Sequence, residues 1–365
     1  MKKLLLILLC LPMIGFGQQT FNFIHNGLNR EYIYYAPVNL PVDAPLVFVA
    51  HGFTGSAQGI MNYCGMNSIA DQNGFAVCYP QGTTDSNGDN FWNVGYNFHF
   101  GVTIDDVDFI VSLASYLQST HQLNTLNTFF TGMSNGGELS YLLACEGPNV
   151  FRAFAPVAGT IFPNGLTNNI CSPIVPVSIF ETHGRNDNVT LIEGDLFDQY
   201  WGPYLSIDTI INFWVAQNSL TNLVVDTFPN LNNNNKITIS YKYSDPSTNN
   251  EVWLYTHKSG HNWGDDGDMV IEQEIWDFFS QMSFTVPSWD CVNNACIDPG
   301  TGAGMYPNLA ACTSACLSSA VEEYATNKEL LKLTEIIGRQ TKGTKNEVLF
   351  YIYDDGTFEK KIIIE

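Results

Sequence analysis

Phe129-Phe130-Thr131-Gly132-Met133-Ser134-Asn135-Gly136-Gly137 runs an apolar segment straight into a glycine-flanked serine. The apolar run predicts a strand over 126–131 and the segment behind the serine predicts a helix over 135–145. Glycines on either side of the serine permit a tight strand-to-helix turn. Such a turn lifts the Ser134 hydroxyl out of the sheet. It also sets the hydroxyl at a helix N-terminus, where the dipole favours developing negative charge.

Outward from this turn the same alternation repeats. Strands are predicted over 31–36, 45–50, 75–79, 154–158, 174–181, 236–243 and 251–256. Helices are predicted over 56–73, 103–120, 207–218 and 270–282. The helix at 103–120 is the clearest, with Val107, Ile110, Val111, Ala114 and Leu117 at helical spacing and Thr103 with Asp106 as a capping-box start. Strand–helix alternation predicts an α/β fold, a mainly parallel sheet covered by helices on both faces. The sheet is expected to end near 286, before Pro287, and the asparagine run 232–235 reads as a loop.

Two further strand ends carry polar loops. Thr182-His183-Gly184-Arg185-Asn186-Asp187 follows a β-rich run and offers Asp187 as a carboxylate lying between serine and base in chain order. Asp195 and Asp198 are weaker rivals, being further from the strand end. Ser259-Gly260-His261-Asn262-Trp263-Gly264 offers His261, the last histidine of the chain, on a glycine-flanked loop that suits an orientable base. His25, His99, His121 and His257 read as ordinary histidines, and His51 and His183 as shapers of glycine-containing turns. Together Ser134, Asp187 and His261 form a candidate nucleophile–acid–base set. That chemistry calls for neither cofactor nor metal, and none is expected.

The 365 residues are 45 % hydrophobic and 14 % charged, which suits a large core and excludes a disordered chain. With 36 acidic against 15 basic residues the formal charge is −21. Such a chain repels phosphate backbones and anionic lipid, so nucleic acid is not an expected partner. Residues 1–17 read as a cleaved export signal: Met1-Lys2-Lys3 is basic, Leu4 to Ile14 is apolar but too short to span a bilayer, and Gly15 and Gly17 are small. No other run approaches spanning length, so no integral membrane segment is expected in the mature chain.

Export makes disulfides the expected state of cysteine. Of 9 cysteines, removal of Cys10 with the signal leaves an even set. Nearest-neighbour pairing predicts Cys64–Cys78 and Cys145–Cys171, with no free thiol. Cys291, Cys296, Cys312 and Cys316 are expected in two further disulfides of open pairing; zinc is the competing reading, but the spacing suits it poorly.

His51-Gly52-Phe53-Thr54-Gly55, Tyr79-Pro80-Gln81-Gly82, Phe91-Trp92-Asn93, Asp105-Asp106-Val107, Gly132 to Gly137, Ala155-Pro156-Val157-Ala158-Gly159, His183 to Asp187 and Gly260 to Trp263 stand in this order. Together they resemble the secreted esterases that group polyhydroxybutyrate depolymerases with feruloyl and acetylxylan esterases, over roughly 32–279. The resemblance implies an α/β-hydrolase fold and a triad of Ser134, Asp187 and His261. In that fold the His51–Gly55 turn delivers one oxyanion-hole amide, that of Phe53 or of Thr54 beside it, and Asn135 the other. The resemblance also implies that Trp92 and Trp263 border the substrate cleft. One position departs: the valine that the family sets three residues after the acid stands here two after it, at Val189.

The expected substrate is therefore an ester on a polymer outside the cell, with feruloyl or acetyl groups on plant polysaccharide ahead of a polyhydroxybutyrate-type polyester. A catalytically silent hydrolase fold that binds polymer is the non-enzyme alternative. Domain boundaries are expected at 18–286 for the hydrolase, 287–318 for a small cysteine-rich module, and 319–365 for a C-terminal segment. That last segment resembles the sorting signal of the type IX secretion system, carried by Ile336-Ile337-Gly338-Arg339 and by Tyr353 to Lys361 before Ile362-Ile363-Ile364. It implies the type IX machinery as a partner and a secreted or cell-surface location. A tight Asp-Gly turn between two alternating strands also fits a small terminal β-module.

Overall fold

The computed structural model describes residues 19–146, 149–162, 171, 173, 175–231, 237–264, 268–284, 288–298, 304–318, 329–336, 338–342, 348–354 and 356–362. The expected export signal, the asparagine run and the opening of the expected sorting segment lie outside them. The chain divides into two compact units, 1–284 and 285–365.

The first unit is built on a ten-stranded sheet. In chain order its strands are β1 (Gln19–His25), β2 (Leu28–Tyr35), β3 (Leu46–Ala50) and β4 (Ala76–Pro80). A small separate hairpin follows, β5 (Thr83–Thr84) with β6 (Asn90–Phe91). The sheet continues with β7 (Thr128–Met133), β8 (Ala153–Val157), β9 (Ser178–Gly184), β10 (Asn222–Thr227), β11 (Ile239–Ser244) and β12 (Val252–His257). The spatial order is β1-β2-β4-β3-β7-β8-β9-β12-β11-β10. From β4 to β12 neighbours pair in parallel, and antiparallel strands close both edges. The mainly parallel sheet is what the alternation predicts, and its α/β-hydrolase layout is what the resemblance implies. Sequence reasoning missed β1 and β10; every residue of β10 is exposed, so no half-buried alternation marks it.

The central strands are buried on both faces, so alternate side chains feed two cores. In β3, Leu46, Phe48 and Ala50 join the core under the helices Asp106–His121 and Ile207–Gln217. Val47 and Val49 join the core under Ala57–Tyr63, Met66–Asn73 and Ile271–Met282. Truncating one such side chain, Phe130→Ala, is expected to cost about 3–5 kcal/mol.

Three local readings need correction. The helix expected over 56–73 is two helices, because Gly65 takes φ +68°, a left-handed value that ends the first and starts the second. The helix expected from Thr103 starts at Asp106, where the Asp105 carboxylate accepts the Asp108 N–H at 2.8 Å. The third concerns cysteine. Cys145–Cys171 is formed, but Cys64 and Cys78 are free and buried. Cys78 points into one core and Cys64 lies in the other, so the sheet stands between them.

The second unit contains a hairpin, β13 (Asp290–Val292) and β14 (Ala295–Ile297), turned by Asn293 and Asn294 at positive φ. The helix Leu309–Ser318 is tied to it by Cys291–Cys316 and Cys296–Cys312. Bonded in this way, these sulfurs do not form the thiolate set that zinc requires. An antiparallel sheet follows: β15 (Leu330–Glu335), β16 (Val348–Tyr353) and β17 (Phe358–Ile362). Among the described residues no helix is long and apolar enough to cross a membrane.

Candidate active site

Four loops leave the C-terminal ends of β3, β7, β9 and β12 and meet over that edge of the sheet. Ser134 stands between β7 and the helix Asn135–Glu146 with φ +55°, a left-handed backbone that a non-glycine residue adopts at a cost. Its N–H donates to Val157 O at 2.8 Å and its carbonyl accepts the Glu138 N–H at 2.8 Å, so sheet and helix both hold the turn. Gly136 is required by close approach: a Cβ there would collide with Ala50 O.

The loops that bear Asp187 and His261 are stitched to each other. Arg185 N–H donates to His257 O at 2.7 Å, Asn186 N–H to Ser259 O at 3.2 Å and Asn186 Nδ2 to Lys258 O at 2.6 Å. The Arg185 guanidinium donates to Thr256 O and to Ile237 O. Asp187 Oδ1 accepts the Val189 and Thr190 N–H groups at 2.8 and 2.9 Å, and its Oδ2 receives His261 Nδ1 at 2.7 Å. Burial alone would raise the Asp187 pKa; the His261 bond and the Val189 N–H outweigh it and hold the carboxyl below its ordinary range. Val189, two residues past the acid, thus still takes part in fixing it. Asp195 and Asp198 instead bond backbone N–H groups of their own loop.

His261 and Ser134 line one open cleft of about 330 Å³ with Gly52, Phe53, Tyr63 and Met133. Thr54 N–H is spent on Asn90 O at 2.8 Å. The Phe53 and Asn135 N–H groups have no acceptor among the described residues, and Asn135 opens its helix, where N–H groups are left over. Of the two amides on the His51 turn, Thr54 is thus already engaged and Phe53 is the one left to receive a new acceptor. His51 is buried, which pushes its pKa down to about 4; neutral, it donates through Nδ1 to Gly52 O and accepts the Gly82 N–H at Nε2.

The tryptophans are a correction. Trp92 is fully buried, its indole N–H donating to His51 O at 2.9 Å and its backbone N–H to Asn135 Oδ1 at 2.7 Å. It braces the His51–Gly55 turn against the Ser134 turn and does not border the cleft. Trp263 is 5 % exposed and belongs to the same buried core as Met269 and Ile271. Aromatic residues tend to be buried for their apolar area, and a motif position on a loop does not reveal that.

Sequence reasoning missed a buried polar layer beneath the serine. Tyr96 OH donates to Glu138 Oε2 at 2.5 Å, Tyr141 OH to Glu181 Oε2 at 3.0 Å, and His183 Nδ1 meets Glu181 Oε1 at 2.9 Å. Burial pushes the Glu138 and Glu181 carboxyls each up to about 7. Glu138 lies one helical turn past Ser134, and that spacing was its available signal.

The geometry stands beside what comparison with known proteins finds. The bifunctional acetylxylan esterase/xylanase of Neocallimastix patriciarum is 27 % identical over 267 residues, 72 % of this chain and 34 % of that one. Feruloyl esterase B of Thermothelomyces thermophilus is 30 % identical over 159 residues, 44 % and 54 % respectively. Poly(3-hydroxyalkanoate) depolymerase C of Paucimonas lemoignei is 26 % identical over 141 residues, 39 % and 34 %. The match thus spans about a third to a half of the length of these curated relatives. The acetyl xylan esterase from Aspergillus awamori superimposes with a TM-score of 0.52 at 16 % identity, over 72 % of this chain and 99 % of that one, a likeness of fold. The Esterase PHB depolymerase family matches residues 31–219, more than half of the chain, and the chain belongs to that family.

Proposed function

We propose that the protein is an exported serine esterase. The observation that carries this reading is His261 Nδ1 on Asp187 Oδ2 at 2.7 Å, with Ser134 at a left-handed turn in the same cleft. Ser134 Oγ attacks the ester carbonyl while His261 Nε2 takes its proton, and Asp187 holds the ring in the tautomer that leaves Nε2 free to accept. The N–H groups of Phe53 and Asn135 receive the oxyanion. His261 returns the proton to the departing alcohol, leaving an acyl-enzyme on Ser134. Water, deprotonated by His261, then attacks the acyl carbon; the bond to Ser134 Oγ breaks, His261 returns the proton to Oγ, and the acid departs. No electron changes hands and no cofactor enters.

The substrate is an ester on an extracellular polysaccharide, feruloyl or acetyl. The likeness to proteins named acetylxylan esterase and feruloyl esterase supports it, as does the open side of the cleft, which can admit a polymer. Residues 1–17 direct export, and 319–365 address the type IX machinery. The test is an activity panel with Ser134→Ala as the blank: aryl acetate, acetylated and feruloylated xylan, polyhydroxybutyrate and a peptide amide. Serine-dependent release from at least one of the two xylans is expected; release from polyhydroxybutyrate alone would move the substrate to a polyester, and activity equal in Ser134→Ala would end the triad assignment.

A further inference from the structure

Two cavities of very different size meet at Ser134. The open cleft of about 330 Å³ contains His261. The other, lined by Tyr96, Ser134, Glu138, Thr160, Phe162 and Tyr204, holds about 10 Å³, room for one group the size of a water or a methyl. In the esterase reading, on which this inference rests, the leaving oxygen must reach His261 to be protonated. The alcohol therefore lies in the open cleft, and the acyl group points away from it into the small cavity. An acetyl group extends one methyl beyond its carbonyl carbon. A feruloyl or hexanoyl group extends far more.

Behind the small cavity lies a third one of about 480 Å³, reaching to Leu142, Ile161 and the Cys145–Cys171 disulfide. The two share Tyr96, Glu138, Thr160 and Phe162. Tyr96 and Glu138 are 3 % and 6 % exposed and are bonded to each other at 2.5 Å, and the Tyr96 ring stands edge-on to Phe162 at 5.5 Å. Swinging either residue aside leaves a buried oxygen without its partner. The Glu138 main chain is fixed as well, its backbone N–H bonded to Ser134 O in the first turn of the helix.

We propose that the Tyr96–Glu138 pair is a wall that limits the acyl group to about the size of acetyl, so that the protein acts on acetyl esters and turns away feruloyl and longer acyl groups although space for them lies behind it. Tyr96 supplies the bulk, and Glu138 holds it across the opening.

The test keeps the leaving group constant and varies the acyl chain: kcat/KM of the full mature chain for p-nitrophenyl acetate, butyrate and hexanoate, with methyl ferulate alongside. The wild-type protein is expected to lose roughly a hundredfold or more from acetate to hexanoate, as about 2.7 kcal/mol at tenfold per 1.36 kcal/mol. Tyr96→Ala is expected to raise the hexanoate-to-acetate ratio at least about tenfold, and Glu138→Ala to move it the same way. Glu138→Gln can still accept the Tyr96 hydroxyl and is expected to keep the wild-type ratio. Wild-type preference for hexanoate or ferulate over acetate overturns the wall. So does an unchanged ratio in both alanine variants. Should Tyr96→Ala not fold, the wild-type profile and Glu138→Ala decide the matter. Acetate turnover with a flat profile removes the wall and leaves the esterase; no turnover of any ester, with no labelling of Ser134 by a methylphosphonate, removes both.

Discussion

Between residues 19 and 284 the chain buries apolar side chains on both faces of a wide sheet, while beyond 284 the buried apolar side chains among the described residues are Cys312, Cys316 and Leu349. One disulfide, Cys145–Cys171, accompanies the large cores; two, Cys291–Cys316 and Cys296–Cys312, close a stretch of about 26 residues that has no comparable core. The strand β17 is exposed along its whole length. The first unit is held by area removed from water, and it can support a strained serine turn and buried carboxylates at its strand ends. In the second, cross-links hold the hairpin and helix between Cys291 and Cys316, and the last strand of its sheet is exposed. Chemistry is expected in the first and addressing in the second.

The largest effect expected of that division is at Ser134. Ser134→Ala is expected to lower kcat by about four orders of magnitude or more, and Asp187→Asn by a comparable amount through loss of the correct His261 tautomer. Initial-rate kinetics on an aryl acetate measure both. If Asp187→Asn is mild and Asp195→Asn severe, the acid has been misassigned. In the second unit, Cys291→Ser with Cys316→Ser is expected to cost about 2–5 kcal/mol of local stability and to leave ester turnover at the wild-type value. A chain ending at Cys316 is likewise expected to hydrolyse esters normally and, in its host, to stay in the periplasm. Loss of turnover in the truncated chain would show that the two units do not divide the work in this way, and normal release to the medium would remove the sorting role of the tail.

The same comparison sharpens at cysteine. Burial pushes Cys64 up to about 12, and the same cause raises the Cys78 thiol well above its ordinary value. Protein lacking residues 1–17 is expected to present no reactive thiol when native and two when denatured without reductant, both from the first unit. A count of none after denaturation would mean that a Cys64–Cys78 bridge exists after all.

The legible parts of the fold and site share one property. Ser134, Asp187 and His261 each lie within a few residues of a strand end, so a contiguous motif places them, and the parallel strands read as apolar runs because both faces are buried. What stayed hidden depends on direction across the sheet. Nothing in the spacing of Cys64 and Cys78 tells that a strand residue such as Cys78 points to the far face, and nothing in Phe91-Trp92-Asn93 tells that the indole turns inward to His51 O. The Tyr96–Glu138 pair joins a loop to a helix 42 positions away, a distance no local pattern spans. The edge strands were missed or shortened because exposed alternation is weak.

The smallest effect expected lies in that hidden layer, and its sign follows from the direction of the shift. Burial raises the Glu138 carboxyl from an ordinary 4.5 to about 7, against the pull of its bonds with Tyr96 and Asn135. The folded chain therefore holds a proton that the unfolded chain releases between about 4.5 and 7. The stabilisation that this proton brings is complete below 4.5, declines as pH rises, and is lost once pH passes 7, where a buried carboxylate remains. Glu138→Gln keeps an acceptor for Tyr96 and carries no charge. It is expected to stabilise the first unit at pH 8 by about 1–3 kcal/mol, a rise of several degrees in its melting temperature, and to change little at pH 5. The second unit contains no buried carboxyl among its described residues, so its own transition should not move at either pH. Thermal melts at the two pH values measure this. An equal or lower melting temperature for the variant at pH 8 would mean that the carboxylate is compensated where it lies and that the polar layer under Ser134 is not a store of electrostatic strain.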